Sequence, residues 1–183
     1  MNNILVIGAG RSSSSLISFL LGHASAGNWL VTVGDFSEAL AKEKVGNHAH
    51  GKAIRFDVQD EQSSREAIAG TDVVISLLPA HLHPVVARYC LALKKHLLHA
   101  SYVSDEMRKF HDEARDSALL FLAECGLDPG IDHMSAMQVI DRIRDQGGKL
   151  TAFESFTGGL IAPDTDPLNP WRYKFTWNPR NVV

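Results

Sequence analysis

Short apolar runs alternate with amphipathic stretches along the first two thirds of this chain, and a polar or glycine-rich break follows each run. Ile4-Leu5-Val6-Ile7, Trp29-Leu30-Val31-Thr32-Val33, Ala53-Ile54-Arg55-Phe56, Asp72-Val73-Val74-Ile75-Ser76, His96-Leu97-Leu98-His99-Ala100 and Leu119-Leu120-Phe121-Leu122 read as six strands. The segment after Gly10 and residues 37–45, 62–69, 84–95 and 104–117 read as the helices between them. Strands that alternate with helices imply a parallel sheet with right-handed crossovers, so the expected class is α/β with a doubly wound parallel sheet. Beyond it, residues 134–144 carry helical spacing, Gly147-Gly148 stops that helix, and residues 150–156 read as one new strand. One strand and a polar, Pro-rich tail cannot bury a second core. The expected organisation is therefore a sheet domain over 1–133 and the beginning of a truncated α+β domain over 134–183, as in a fragment of a larger enzyme.

Ligands of doubly wound sheets bind outside the carboxyl ends of the strands, which makes the residues after each strand the candidates. After the first strand stands Gly8-Ala9-Gly10. Gly8 permits a tight strand-to-helix turn, and Gly10 has no side chain to hold a pyrophosphate away from the helix N-terminus. Asp35, at the end of the second strand, is placed to accept hydrogen bonds from the adenine ribose hydroxyls, which favours NAD over NADP. Ser13 replaces the third glycine of G-x-G-x-x-G, within the run Ser12-Ser13-Ser14-Ser15; a small residue there still lets helix and strand pack closely. Arg11 could reach a phosphate, including a 2′-phosphate, with an exposed helix-start arginine that holds no ligand as the alternative. The cofactor candidates are thus Gly8, Gly10, Arg11, Ser12, Ser13 and Asp35. To these are added Asp57, as acceptor for the adenine amino group, Val58 against the ring, and Leu78 beside the nicotinamide ribose. A plain loop aspartate is the alternative at Asp57.

Composition narrows the chemistry further. The chain has 183 residues, 45% hydrophobic and 21% charged, which is ordinary for a soluble globular protein. A net charge of -3 without basic runs gives no footprint for nucleic acid or an acidic membrane surface. Neither a cationic n-region nor a long apolar stretch is present, so the expected location is cytoplasmic and the expected partner a small molecule. Cys90 and Cys125 offer no disulfide framework. His81-x-His83 lacks an acidic or cysteine partner nearby, His48-x-His50 sits in a polar loop, and no metal is expected.

Ser101, Tyr102 and Asp128 are the candidates for the reaction itself. A phenol and a carboxylate at the switch point of the sheet can bind a polar substrate and move protons beside a hydride acceptor. Asp128 lies in a segment, Glu124-Cys125-Gly126-Leu127-Asp128-Pro129-Gly130-Ile131-Asp132-His133, too rich in Gly, Pro and acids for a simple connector. Asp132 precedes a helix and has a capping role as its alternative, and His133 is open between a substrate contact and a first-turn helix residue.

These strings resemble the saccharopine dehydrogenases, specifically the L-glutamate-forming enzymes. The resemblance rests on Ser76-Leu77-Leu78-Pro79 with His83, Ala100-Ser101-Tyr102-Val103-Ser104, and above all Gly126-Leu127-Asp128-Pro129-Gly130-Ile131-Asp132-His133. It continues through Gly158-Gly159-Leu160, Ala162-Pro163, and Tyr173-Lys174-Phe175 with Trp177. It implies a Rossmann sheet followed by a larger substrate domain on which homodimers form. It also implies an oxidoreductase of lysine metabolism: hydride leaves the secondary amine saccharopine to NAD(P)+, and the imine is hydrolysed to glutamate and α-aminoadipate semialdehyde. By position, Ser101, Tyr102 and Asp128 would contact substrate, with Asp128 and Tyr102 transferring protons. Two positions depart from the family pattern: Asp35 stands where NADP-using relatives tend to carry a basic or neutral residue, and Thr157 replaces a frequent cysteine. A reductase acting on a carboxylated polyamine, or a non-catalytic dinucleotide-binding module, are the other readings of the sheet.

Overall fold

In the computed structural model, residues 1–156, 161–162, 165 and 167–174 are described. Thr157, Gly158-Gly159-Leu160, Pro163, Phe175 and Trp177 lie outside them. The chain divides into two units, Met1–Met134 and Ser135–Val183.

The first unit is built on six parallel strands: β1 (Asn2–Ile7), β2 (Trp29–Asp35), β3 (Gly51–Arg55), β4 (Val73–Ser76), β5 (His96–His99) and β6 (Phe121–Leu122). Their order is β3-β2-β1-β4-β5-β6, so the chain runs outward from β1 in one direction and then returns to fill the other. Period-2 alternation divides the core between the two faces. Leu5 and Ile7 of β1 join Val74, Leu97, Ile68 and Val86, while Val6 joins Ile17, Leu21, Val31, Val33 and Ala41. A strand covered on both faces has no polar side, which is why the central strands read as unbroken apolar runs.

Helices α1 (Ser14–Gly27) and α2 (Glu38–Val45) contribute to the second of these clusters, and α3 (Glu61–Ala69) and α4 (His83–Leu93) to the first. Asp60 starts α3 by accepting the Ser63 N–H at 3.1 Å. Helix α1 ends at Asn28 and α4 at Lys94, both in left-handed conformation.

Two expectations need correction. The helix expected over 104–117 is two short ones, α5 (Asp105–Arg108) and α6 (His111–Asp116). At the break the Phe110 N–H bonds the Met107 carbonyl, three residues back, at 3.1 Å. Met107, Phe110 and Ala114 are the residues this segment turns inward, and no Gly or Pro announces the change. In the second unit, residues 150–156 form no strand. Extended backbone needs a hydrogen-bonded neighbour, and the described residues of that unit supply none. Its regular element is the greater part of α7 (Ile131–Asp145).

Candidate active site

The first βα turn depends on Gly8. Its φ is +109°, and a Cβ there would lie 3.1 Å from the Leu77 carbonyl oxygen, so any side chain would be strained and crowded at once. Gly10 behaves differently: nothing lies within 4 Å of where its Cβ would be. The open space sits at the start of the helical segment, where backbone N–H groups favour an anion. Arg11 and Ser12 are exposed in a 3₁₀ turn (Arg11–Ser13) leading into α1. Ser13 is buried, and its hydroxyl donates to the Gly10 carbonyl at 2.7 Å, so its side chain fastens the turn rather than facing a ligand.

Asp35 closes β2 and has a structural duty the sequence did not announce. Its Oδ2 accepts the Ala9 N–H at 2.7 Å, and its Oδ1 accepts the Ser37 N–H at 2.9 Å. The carboxylate thereby ties the glycine turn to the end of the neighbouring strand. A carboxylate has about four acceptor sites, so lone pairs remain for ribose hydroxyls.

Asp35, Asp57, Val58 and Leu78 line one cleft of about 320 Å³ together with Ile7, Phe36, Phe56, Gln59 and Leu82. Four strand ends thus meet there as the doubly wound topology requires. Asp57 also accepts the Gln59 N–H at 3.0 Å, an Asx turn that sets the loop after β3. Phe36, 67% exposed, was missed in the sequence; it follows Asp35, and the Arg55 guanidinium stands over its ring at 5.2 Å. An apolar, aromatic cleft beside an open glycine turn fits an adenine nucleotide.

After β5, Tyr102 donates its phenolic hydrogen to Asp128 Oδ1 across 2.6 Å. That bond to a carboxylate pushes the phenol up to about 12. The segment carrying Asp128 folds on itself, with Gly126 N–H bonded to the Pro129 carbonyl and Ile131 N–H to the Gly126 carbonyl, each at 2.9 Å. Asp132, in the first turn of α7, accepts the Gly130 N–H at 2.9 Å and pairs with His133 Nδ1 at 2.8 Å. The pairing raises the pKa of His133, and an acid at that helix end suits the local dipole.

Ser101 is half-buried, with Oγ 2.9 Å from His83 Nε2. His83 and His99 were not singled out as site residues in the sequence, although a histidine ending an apolar strand and another opening an apolar helix are signals of buried polar positions. Both are buried and their rings stack at 4.3 Å.

A doubly wound nucleotide-binding domain with a hydrogen-bonded phenol and carboxylate at its strand ends is the class of protein that these features define. Residues 4–122 match the family model described as the saccharopine dehydrogenase NADP binding domain, and residues 126–183 match the saccharopine dehydrogenase C-terminal domain. The chain belongs to the saccharopine dehydrogenase family. It is 39% identical to an α-aminoadipic semialdehyde synthase of Arabidopsis thaliana, over 100% of this chain and 19% of that protein. It is 36% identical to the saccharopine dehydrogenase [NADP(+), L-glutamate-forming] of Saccharomyces cerevisiae, over 99% of this chain and 40% of that one. The apo structure of the L-Glu-forming enzyme from that yeast superposes with a TM-score of 0.83, over 100% of this chain and 40% of that chain, at 36% identity. The chain thus spans two fifths or less of the length of these relatives.

Proposed function

We propose that this chain carries the cofactor-binding and proton-transfer parts of an enzyme that interconverts saccharopine with L-glutamate and α-aminoadipate semialdehyde. The Tyr102–Asp128 hydrogen bond at the carboxyl end of the sheet is the observation that carries the reading. Oxidation of a secondary amine releases a hydride and a proton and leaves an imine; addition of water then yields amine and aldehyde. The amine must be neutral before hydride departs, and the attacking water must lose a proton afterwards. Asp128 takes the amine proton, releases it to solvent, and as a carboxylate again takes the proton of the attacking water. Tyr102, held protonated by its bond to Asp128, orients the carboxylate and donates to the substrate nitrogen or oxygen as the bond shifts. Ser101 contacts a substrate carboxylate. A nicotinamide dinucleotide, when bound, would supply the hydride acceptor, and Gly8, Gly10 and the cleft of Asp35, Asp57, Val58 and Leu78 would hold it.

The cofactor reading goes one step further. The matching family model is described as NADP binding, and the yeast relative's name carries NADP(+). Asp35 favours NAD in this chain, because its anchored carboxylate lines the cleft where a 2′-phosphate would add two negative charges.

The test is turnover by the full-length protein. With saccharopine and NAD+, reduced nicotinamide and free glutamate are expected to form in equal amounts. Formation of neither, with a folded enzyme that binds the cofactor, would overturn the assignment.

A further inference from the structure

A buried hydrogen-bonded line connects the end of β4 to the end of β5. Ser76 Oγ lies 2.9 Å from His83 Nδ1, and His83 Nε2 lies 2.9 Å from Ser101 Oγ. Ser76 is 0% exposed and His83 1%, while Ser101 is half-buried and is the member open to a ligand. The His99 ring is stacked on the His83 ring, with 19° between planes, which holds the imidazole in its plane.

Burial, with His99 and His81 nearby, brings the His83 pKa down to about 4, so the ring is neutral and carries one N–H. Two serines share that ring, and two hydrogen arrangements are possible. If Nδ1 carried the hydrogen and donated to Ser76, the Ser76 hydroxyl hydrogen would need a second acceptor. Among the described residues Ser76 Oγ has no partner besides His83. A buried donor left unmade is expensive, on the order of 1–3 kcal/mol. The other arrangement uses both the Ser76 hydroxyl hydrogen and the His83 ring hydrogen: Ser76 donates to Nδ1, and Nε2–H donates to Ser101 Oγ. Ser101 then accepts from behind, and its own hydrogen is free to point forward.

We propose that His83 is a positioning residue: clamped by Ser76, it donates to Ser101 Oγ and so presents the Ser101 hydroxyl as a hydrogen-bond donor to a carboxylate oxygen of the amino-acid substrate. The inference rests on the proposed function and names how one substrate contact of that site is set. Without the relay, the Ser101 hydroxyl rotates and satisfies itself on local backbone, as serines commonly do.

The experiment uses the full-length enzyme and compares wild type, His83→Phe, Ser101→Ala and the double variant. His83→Phe keeps a ring to stack on His99 and removes both hydrogen bonds. Its KM for saccharopine is expected to rise about tenfold, the size of one hydrogen bond to a charged group, with the KM for the dinucleotide unchanged. His83→Gln, which can still donate to Ser101, is expected to recover part of the loss. In the Ser101→Ala background, His83→Phe is expected to add nothing, because its effect runs through that hydroxyl. Should His83→Phe not fold, Ser76→Ala gives the same cycle with a smaller rise. Full additivity of the two substitutions, or an equal rise in both KM values, would overturn this inference while leaving the functional reading in place. A wild-type enzyme that leaves saccharopine untouched would overturn both.

Discussion

Tyr102 and Asp128 stand 26 residues apart in the chain, yet the phenol donates to the carboxylate across 2.6 Å. The bond keeps the phenol protonated far into the alkaline range, up to about 12. Asp128→Asn removes the charge that stabilises the protonated phenol, so Tyr102 is expected to ionise near its ordinary value of 10.0. Ultraviolet titration of tyrosinate checks this, with Tyr102→Phe identifying the signal among the 3 tyrosines of the chain. Superimposable titrations of wild type and Asp128→Asn would show that the bond is not made in solution. In the full-length enzyme, Asp128→Asn is expected to lower kcat by about 10²–10⁴, the range for a removed acid or base. Wild-type kcat in that variant would remove Asp128 from proton transfer.

The Asp35 carboxylate holds two backbone groups and also faces a cleft. It accepts the N–H groups of Ala9 and Ser37, and it lines the cleft proposed for the adenosine half of the cofactor. NADH is expected to bind more tightly than NADPH, and Asp35→Ser to narrow the difference. Because two backbone donors lose their acceptor, the variant is also expected to lose about 1–3 kcal/mol of stability. Calorimetry with both cofactors, beside denaturant unfolding, separates the two effects. Equal affinities in the wild type would refute the ribose argument.

Gly8 and Gly10 are expected to answer differently to the same substitution. Gly8→Ala meets the Leu77 carbonyl and a φ of +109°, and strain of this kind is worth about 1–3 kcal/mol. Gly10→Ala meets nothing of the protein, since its φ is -66° and the space before it is open. Its unfolding midpoint is expected to match the wild type while dinucleotide affinity falls. Retained affinity in Gly10→Ala would mean that no pyrophosphate approaches that backbone.

The buried relay makes stability depend on acidity in a defined direction. His83 has an ordinary pKa of 6.5 and a folded value of about 4, so the unfolded chain binds the proton first. Its contribution is complete above pH 6.5 and is lost as the pH falls through the window down to about 4. At about 1.4 kcal/mol per pH unit, the loss is on the order of 3 kcal/mol. Urea midpoints measured across that window are expected to fall, and less steeply in His83→Gln. An equal slope in the variant would assign the acid sensitivity to other groups.

Most of the strand ends that matter were legible in the amino-acid order because their signals are local. A four- or five-residue apolar run, a glycine at a turn that requires positive φ, and an acid at the end of the second strand are each properties of a few neighbouring residues. Parallel connectivity follows from their alternation, and it carried Asp35, Asp57, Val58 and Leu78 to one cleft. The break at Phe110 was not legible, because its cause is the inward packing of Met107 and Phe110 rather than any helix-breaking residue. Residues 150–156 have the composition of a strand, but pairing needs a neighbour that composition does not supply.

By itself, then, the sequence determined the order of the six strands, the doubly wound class and the list of side chains placed at the strand ends. Only the tertiary structure decided which of those side chains touch: Tyr102 with Asp128, Asp35 with Ala9, and Ser76 through His83 with Ser101. The reason is physical. Hydrophobic period and turn chemistry act over a few residues, whereas a hydrogen bond between distant segments depends on strand order, side-chain rotamer and burial, which exist only once the sheet has formed.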